Sequence, residues 1–275
     1  GIGSGSTTAA VIAGGTTPNA TANTEVWNGR AWTETSELNT ARDLFAGSGA
    51  SNTALLGFGG LAAAVASTEN WDGTSWTEVN DLNTGRRELG GSTNGTNTSA
   101  LAFSGCIANG TVQSSTEEWS FPSAPGVQAG QVWIKTASGV DTIMKGYQQK
   151  GTGAWATGGS LNTARGYGAG SGTQTASFVA TGGVGPATSG SNAHEQYNGS
   201  SWTETTEVNT SRSYAGGFGI TTAGIVCGGY NPPGTVNLTE SWNGSAWTEV
   251  NEMQSNTQTG ALGGTSTAGF SAGGY

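Results

Sequence analysis

Trp27-Asn28-Gly29-Arg30-Ala31-Trp32-Thr33-Glu34 decides the reading of this chain, because the phrase comes back. It returns as Trp71-Asp72-Gly73-Thr74-Ser75-Trp76-Thr77-Glu78, as Tyr197-Asn198-Gly199 running to Trp202-Thr203-Glu204, and as Trp242-Asn243-Gly244 running to Trp247-Thr248-Glu249. The second Trp recurs after 44 residues from Trp32 to Trp76 and after 45 from Trp202 to Trp247. A period of this length, carried by short strand-like runs with Trp and Gly at fixed places, marks stacked supersecondary units and points to propeller blades.

Outward from the phrase, each unit reads as four short strands. In the first intact unit Leu44–Gly49 is strand one and Ala54–Phe58 is strand two, which ends at Gly59-Gly60. Thr68–Trp71 is strand three, Asp72-Gly73 is a hairpin turn needing positive φ, and Trp76–Val79 is strand four. Glycine doublets recur at Gly14-Gly15, Gly182-Gly183, Gly228-Gly229 and Gly273-Gly274, with Gly105-Cys106 in the third unit. Such glycines let backbones approach near a propeller axis. An Arg recurs as Arg42, Arg86, Arg165 and Arg212, and a Glu as Glu25, Glu69, Glu117, Glu195 and Glu240. These two sets predict bidentate pairs fixing blade to blade. Trp27, Trp32, Trp155, Trp202, Trp242 and Trp247 are read, with Arg42, Arg165 and Arg212, as structural members of the repeat.

As a set, these features resemble the kelch repeat. The match is a Gly doublet after an apolar strand, a Glu two before an aromatic residue, a turn, a Trp, and then a Leu-Asn-Thr-x-Arg segment. That segment stands as Leu38–Arg42, Leu82–Arg86, Leu161–Arg165 and Val208–Arg212, while the last copy, Met253–Thr257, has Gln258 where Arg is expected. The resemblance implies a β-propeller and no particular activity, because fold does not fix function. The close likeness between copies also resembles kelch-type proteins of bacteriophages, which implies an exposed virion component such as a fibre, tail or head decoration.

Counting strands gives six copies of the first hairpin but five each of strands three and four. The expected fold is therefore all-β, a six-bladed kelch-like propeller whose last blade is incomplete or is completed from outside the chain. The third unit is interrupted: Trp119 and Trp155 should be five apart and are 36 apart. The reading divides the chain into residues 1–122, an intervening 123–150, and 151–275. The middle part is either an inserted β-hairpin or a seam between tandem propellers. Its break from the repeat, with Trp133, Lys135, Lys145 and Tyr147, makes it a candidate docking element for a partner protein.

The composition sets further bounds. Glycine is 49 of 275 residues and hydrophobic residues are 34%, which alone would suggest disorder, but ten Trp at regular places argue for a packed fold. A formal charge of −9 makes nucleic acid a poor partner. No apolar run reaches the length of a membrane helix, and no signal peptide is visible. The start at Gly1, inside a repeat, is expected of a processed product or of a piece of a longer polypeptide. Cys106 and Cys227 occupy non-equivalent positions and read as small buried residues rather than a disulfide.

Catalysis finds little to work with. The single histidine, His194, stands where other copies have Thr24, Thr68, Thr116 and Thr239, so a tolerated strand position is expected rather than a ligand. Glu34, Glu78, Glu204 and Glu249 repeat with the blades and read as a solvated face. Glycine-rich runs such as Gly166–Gly170 lack the Lys and helix of a phosphate loop. No catalytic residue, cofactor or metal site is expected. One binding alternative is a lectin: Glu69, Trp71 and Trp76 with Arg86 resemble the wording of six-bladed fucose-binding lectins of secreted bacterial proteins, which implies sugar stacking on an exposed Trp. The expected role is non-enzymatic, structural or adhesive, on a virion surface or outside cells. The expected partners are virion proteins or host-surface glycans, in a multimeric or tandem arrangement, with no nucleic acid and no membrane insertion.

Overall fold

The computed structural model describes residues 1–61, 63–121, 132–135, 143–146, 153–184, 190–258 and 260–274, the two short runs between 132 and 146 by their backbone. The first sheet contains β1 (Ile2–Ser6), β2 (Ala9–Thr16), β3 (Ala20–Trp27) and β4 (Trp32–Glu34). The second contains β5 (Ala46–Ser51), β6 (Ala54–Phe58), β7 (Thr68–Trp71) and β8 (Trp76–Val79). The third contains β9 (Gly90–Gly91), β10 (Ser99–Phe103) and β11 (Thr116–Ser120); β12 (Val132–Lys135) and β13 (Ile143–Gly146) pair only with each other, and β14 (Ala154–Gly158) returns beside β11. The fourth contains β15 (Ala169–Thr173), β16 (Ala176–Ala180), β17 (His194–Tyr197) and β18 (Trp202–Thr205). The fifth contains β19 (Gly216–Ile220), β20 (Ala223–Cys227), β23 (Thr239–Trp242) and β24 (Trp247–Glu249), with a small hairpin of β21 (Tyr230–Asn231) and β22 (Gly234–Thr235) between. Finally β25 (Ala261–Thr265) and β26 (Ala268–Ala272) form a two-stranded sheet.

These sheets are antiparallel meanders, and the chain folds as an all-β propeller. Complete four-stranded blades number five, where the sequence reading expected a six-bladed ring with its last blade incomplete; the sixth position holds only the hairpin β25–β26, because no described residue supplies its outer pair. The innermost strands run β1, β5, β9, β15, β19 and β25 around the axis, and β25 touches both β19 and β1. In the third blade β14 lies against β11 with Trp119 opposite Trp155, the register that Trp71 and Trp76 hold in the second. β11 and β14 thus lie side by side in one sheet.

The core sits in the joints between blades. Ile2, Val11 and Leu38 of the first unit pack with Leu55, Trp71 and Trp76 of the second. Equivalent clusters join the second blade to the third, the third to the fourth and the fourth to the fifth. Each is a face-to-face packing of two twisted sheets, which is how a meander with one apolar row per face buries its surface.

Three local readings are corrected. The Asp72-Gly73 turn is a four-residue loop in which Gly73 alone has positive φ (97°), and the Asp72 carboxylate accepts from the backbone N–H of Thr74 and of Ser75, both at 2.8 Å. In the third and fourth blades the glycine doublet is Ser104-Gly105 and Thr181-Gly182, not Gly105-Cys106 and Gly182-Gly183. Ser104 (φ 59°) and Thr181 (φ 62°) match Gly59 (φ 71°), so a short polar side chain fits the left-handed well there at a cost of about 1–2 kcal/mol. The second position, at φ 102° in Gly60, 94° in Gly105 and 106° in Gly182, is glycine each time. Lastly, Thr257 and not Gln258 occupies the arginine position of the last copy. Its carbonyl accepts from Gly229 N–H at 2.8 Å, as the carbonyls of Arg42, Arg86, Arg165 and Arg212 accept from Gly15, Gly60, Gly105 and Gly182.

Candidate functional site

The repeated charges meet in pairs across each joint. Arg42 pairs with Glu69, Arg86 with Glu117 (2.8 Å), Arg165 with Glu195, and Arg212 with Glu240 (2.7 Å), and all eight side chains are buried. The pairs are not bidentate. One carboxylate oxygen takes the guanidinium, and the other accepts from an asparagine backbone N–H, as Glu117 does from Asn83 (2.7 Å). The Nη1 nitrogen of Arg86 donates to the carbonyls of Ser104 (2.9 Å) and Ser115 (2.8 Å). Burial pulls the Arg86 and Arg165 guanidinium groups below the usual range, opposed by Glu117 and Glu195. A buried pair needs added hydrogen bonds of this kind to offset its desolvation.

The fourth-strand tryptophans straddle the same joints. Trp76 Nε1 donates to Thr24 Oγ1 (2.9 Å), Trp155 to Thr68 (3.1 Å) and Trp202 to Thr116 (2.9 Å), each on the third strand of the preceding blade. Trp247 donates to His194 Nδ1 (3.2 Å). An indole only donates and the Thr206 carbonyl, 3.1 Å from the same Nδ1, only accepts, so the two contacts ask opposite roles of that nitrogen. His194 takes the place of threonine opposite the indole of this joint, and burial pushes its pKa down to about 4. Sequence spacing located this position but could not show its place in the joint, because Trp247 lies 53 residues away.

The four residues of the lectin-like wording do not form an open pocket. Glu69 and Arg86 belong to different pairs, and Trp71 and Trp76 are closed to solvent. Of the fourth-strand tryptophans only Trp32 is open, at 37% exposure against 5–7% for Trp76, Trp155, Trp202 and Trp247. Of the docking candidates, Trp133 and Lys145 stand opposite each other in β12–β13, Lys135 ends β12, and Tyr147 lies outside the described residues. Glu34, Glu78, Glu204 and Glu249 are all exposed.

Sequence reasoning missed the axial belt. Leu44, Glu88, Tyr167 and Tyr214 each lie two residues beyond a paired arginine and have φ of 54–57°. Glu88 N–H donates to Leu44 O (2.7 Å), Tyr167 N–H to Glu88 O (3.0 Å) and Tyr214 N–H to Tyr167 O (3.1 Å), running around the axis. Equivalent spacing from each arginine was the available signal; unlike side chains hid it. The belt borders a cavity of about 500 Å³ that also takes in Glu25, Asp43 and the Gly273-Gly274 edge. Strained backbone lining a cavity is a common setting for binding.

Both cysteines are free and buried, with burial pushing the Cys106 thiol up to about 12 and Cys227 up to about 11. Among the described residues no group of three His, Cys, Asp or Glu converges as a metal cage. Compared with protein-family models and with curated proteins, the chain matches none.

Proposed function

We propose that this propeller is a non-enzymatic structural or adhesive module, carried on the outside of a bacteriophage particle and holding a virion protein or the host surface. The observation that carries the proposal is how the repeat spends its residues. The recurring arginines, four of the five recurring glutamates and four of the five fourth-strand tryptophans are committed to joints between blades. The repeat thus works as a rigid frame, and recognition falls to what departs from it. The virion setting rests on the wording of the repeat, which resembles phage kelch-type proteins. The lectin reading gains nothing from Glu69, Trp71, Trp76 and Arg86, since sugar cannot stack on a covered ring.

The test is to raise antibodies to the purified propeller and probe intact phage particles by immunogold microscopy. Label on particles, with tagged propeller adhering to host envelopes, supports the proposal. Absence from particles, or turnover of a glycoside panel lost on mutating one acidic residue, would sink it.

A further inference from the structure

We infer that the joint between the two-stranded sheet β25–β26 and the first blade is an open receptor for a β-hairpin of this repeat's own third-and-fourth-strand wording, followed by an arginine. Four independent deficits meet at that joint, and such a hairpin meets all of them.

The first is a carboxylate. Glu25 is the member of the recurring glutamate set with no arginine and no hydrogen-bond partner among the described residues, and it faces the cavity of about 500 Å³. In the third blade the arginine cradle is made of Glu117 and the carbonyls of Ser104 and Ser115. The matching positions in the first blade are Glu25, Gly14 and Asn23, and all three line the cavity. The cradle is present and holds no guanidinium.

The second is an N–H. The second glycine of every other doublet donates to the carbonyl of an arginine or of Thr257, at 2.8–2.9 Å. Gly274, the second glycine of the last doublet, has no such partner among the described residues. An arginine bridges in this repeat by giving its carbonyl to one blade and its guanidinium to the next. The absent arginine therefore belongs between Gly274 and Glu25.

The third is an acceptor for Trp32. Its counterparts each donate to a threonine or histidine on the preceding blade's third strand, whereas Trp32 is 37% exposed and the preceding sheet has no third strand among the described residues. The fourth is the sheet edge itself. β6, β10, β16 and β20 are buried over four of five residues because a third strand covers each, while β26 is exposed at Ala268, Gly269 and Ser271. Unpaired strand edges accept an added strand.

The occupant is further specified by Thr257. With threonine in place of arginine on the fifth-blade side, a glutamate in the added third strand would be buried without its cation. The fitting hairpin needs the threonine and the final arginine, and not the glutamate.

The probe is a synthetic peptide with the sequence of residues 68–86, Thr68 to Arg86, added to the 275-residue protein. The expected result is saturable binding by calorimetry, a rise in Tm, and loss of acrylamide quenching that is absent in Trp32→Phe. Glu25→Gln in the protein, or Arg86→Gln in the peptide, should each weaken binding about tenfold or more. Glu69→Gln in the peptide should leave binding equal or tighter. No binding to protein shown to be folded by circular dichroism would overturn the inference, as would equal binding by the arginine-free peptide, whose use leaves the protein untouched. Shielding of Trp32 on concentrating the protein alone would also overturn it, because a second copy would then fill the joint.

Discussion

Arg86 and Arg165 are fully buried cations, and at the scale of single residues they carry the sharpest consequences. Arg86→Ala leaves Glu117 buried without its partner and should cost about 3–5 kcal/mol, against less than about 0.5 kcal/mol for Arg30→Ala on the surface. Urea denaturation midpoints of the two variants check this. His194 gives a pH dependence with a definite sign. Its folded pKa, about 4, lies below the ordinary 6.5, so the unfolded chain binds the extra proton between those values. Its contribution is complete above pH 6.5 and lost as pH falls toward 4. His194→Thr restores the threonine acceptor of the other joints and removes the titrating group. Wild type should therefore lose about 2–3 kcal/mol relative to this variant between pH 7 and pH 4, read from paired denaturation curves. The identity of these residues as members of a set was legible from spacing alone. Their partners were half legible: recurring Arg and Glu implied pairing, but the division of each carboxylate between a guanidinium and an asparagine N–H is a matter of three-dimensional approach.

Strand boundaries were the most legible feature at the scale of the element. In the second blade β6, β7 and β8 fall where the Gly59-Gly60 doublet and the Trp-Asp-Gly punctuation place them, because each strand must stop at a turn residue. The doublets were misplaced in two blades because the left-handed first position tolerates Ser104 and Thr181, so glycine spelling alone misleads there. The third blade yields a test at this scale. β11 and β14 pair as β7 and β8 do, so residues 120–154 replaced by Asp-Gly-Thr-Ser should leave a folded blade. Among the described residues the replacement removes the Trp119–Phe121 ring contact and the Asn80–Gly153 hydrogen bond, so Tm should fall by no more than about 4 °C in a calorimetric scan. A collapse of the transition would show that the replaced stretch holds the blade together.

For the whole molecule, the blade period implied the propeller, yet the belt and its cavity were illegible, because Leu44 and Glu88 share the backbone shape of Tyr167 and Tyr214 but not their side-chain chemistry. Closure of the inner ring depends on β25, which stands between β19 and β1. Deleting residues 259–275 should expose both neighbouring inner strands, lower Tm by more than about 10 °C and broaden the transition, with faster cleavage by trypsin in the same variant. An unchanged Tm would mean that the five complete blades support one another without closure. The arginine that gives its carbonyl to one blade and its guanidinium to the next has a further consequence, for heredity. Since the four joints between complete blades repeat one arginine–glutamate pair, a recombination event that gains or drops one of those repeats leaves the remaining pairs chemically matched. Copy number in such a gene is then limited by the angle at which blades meet around the axis, and not by any need to invent a new interface.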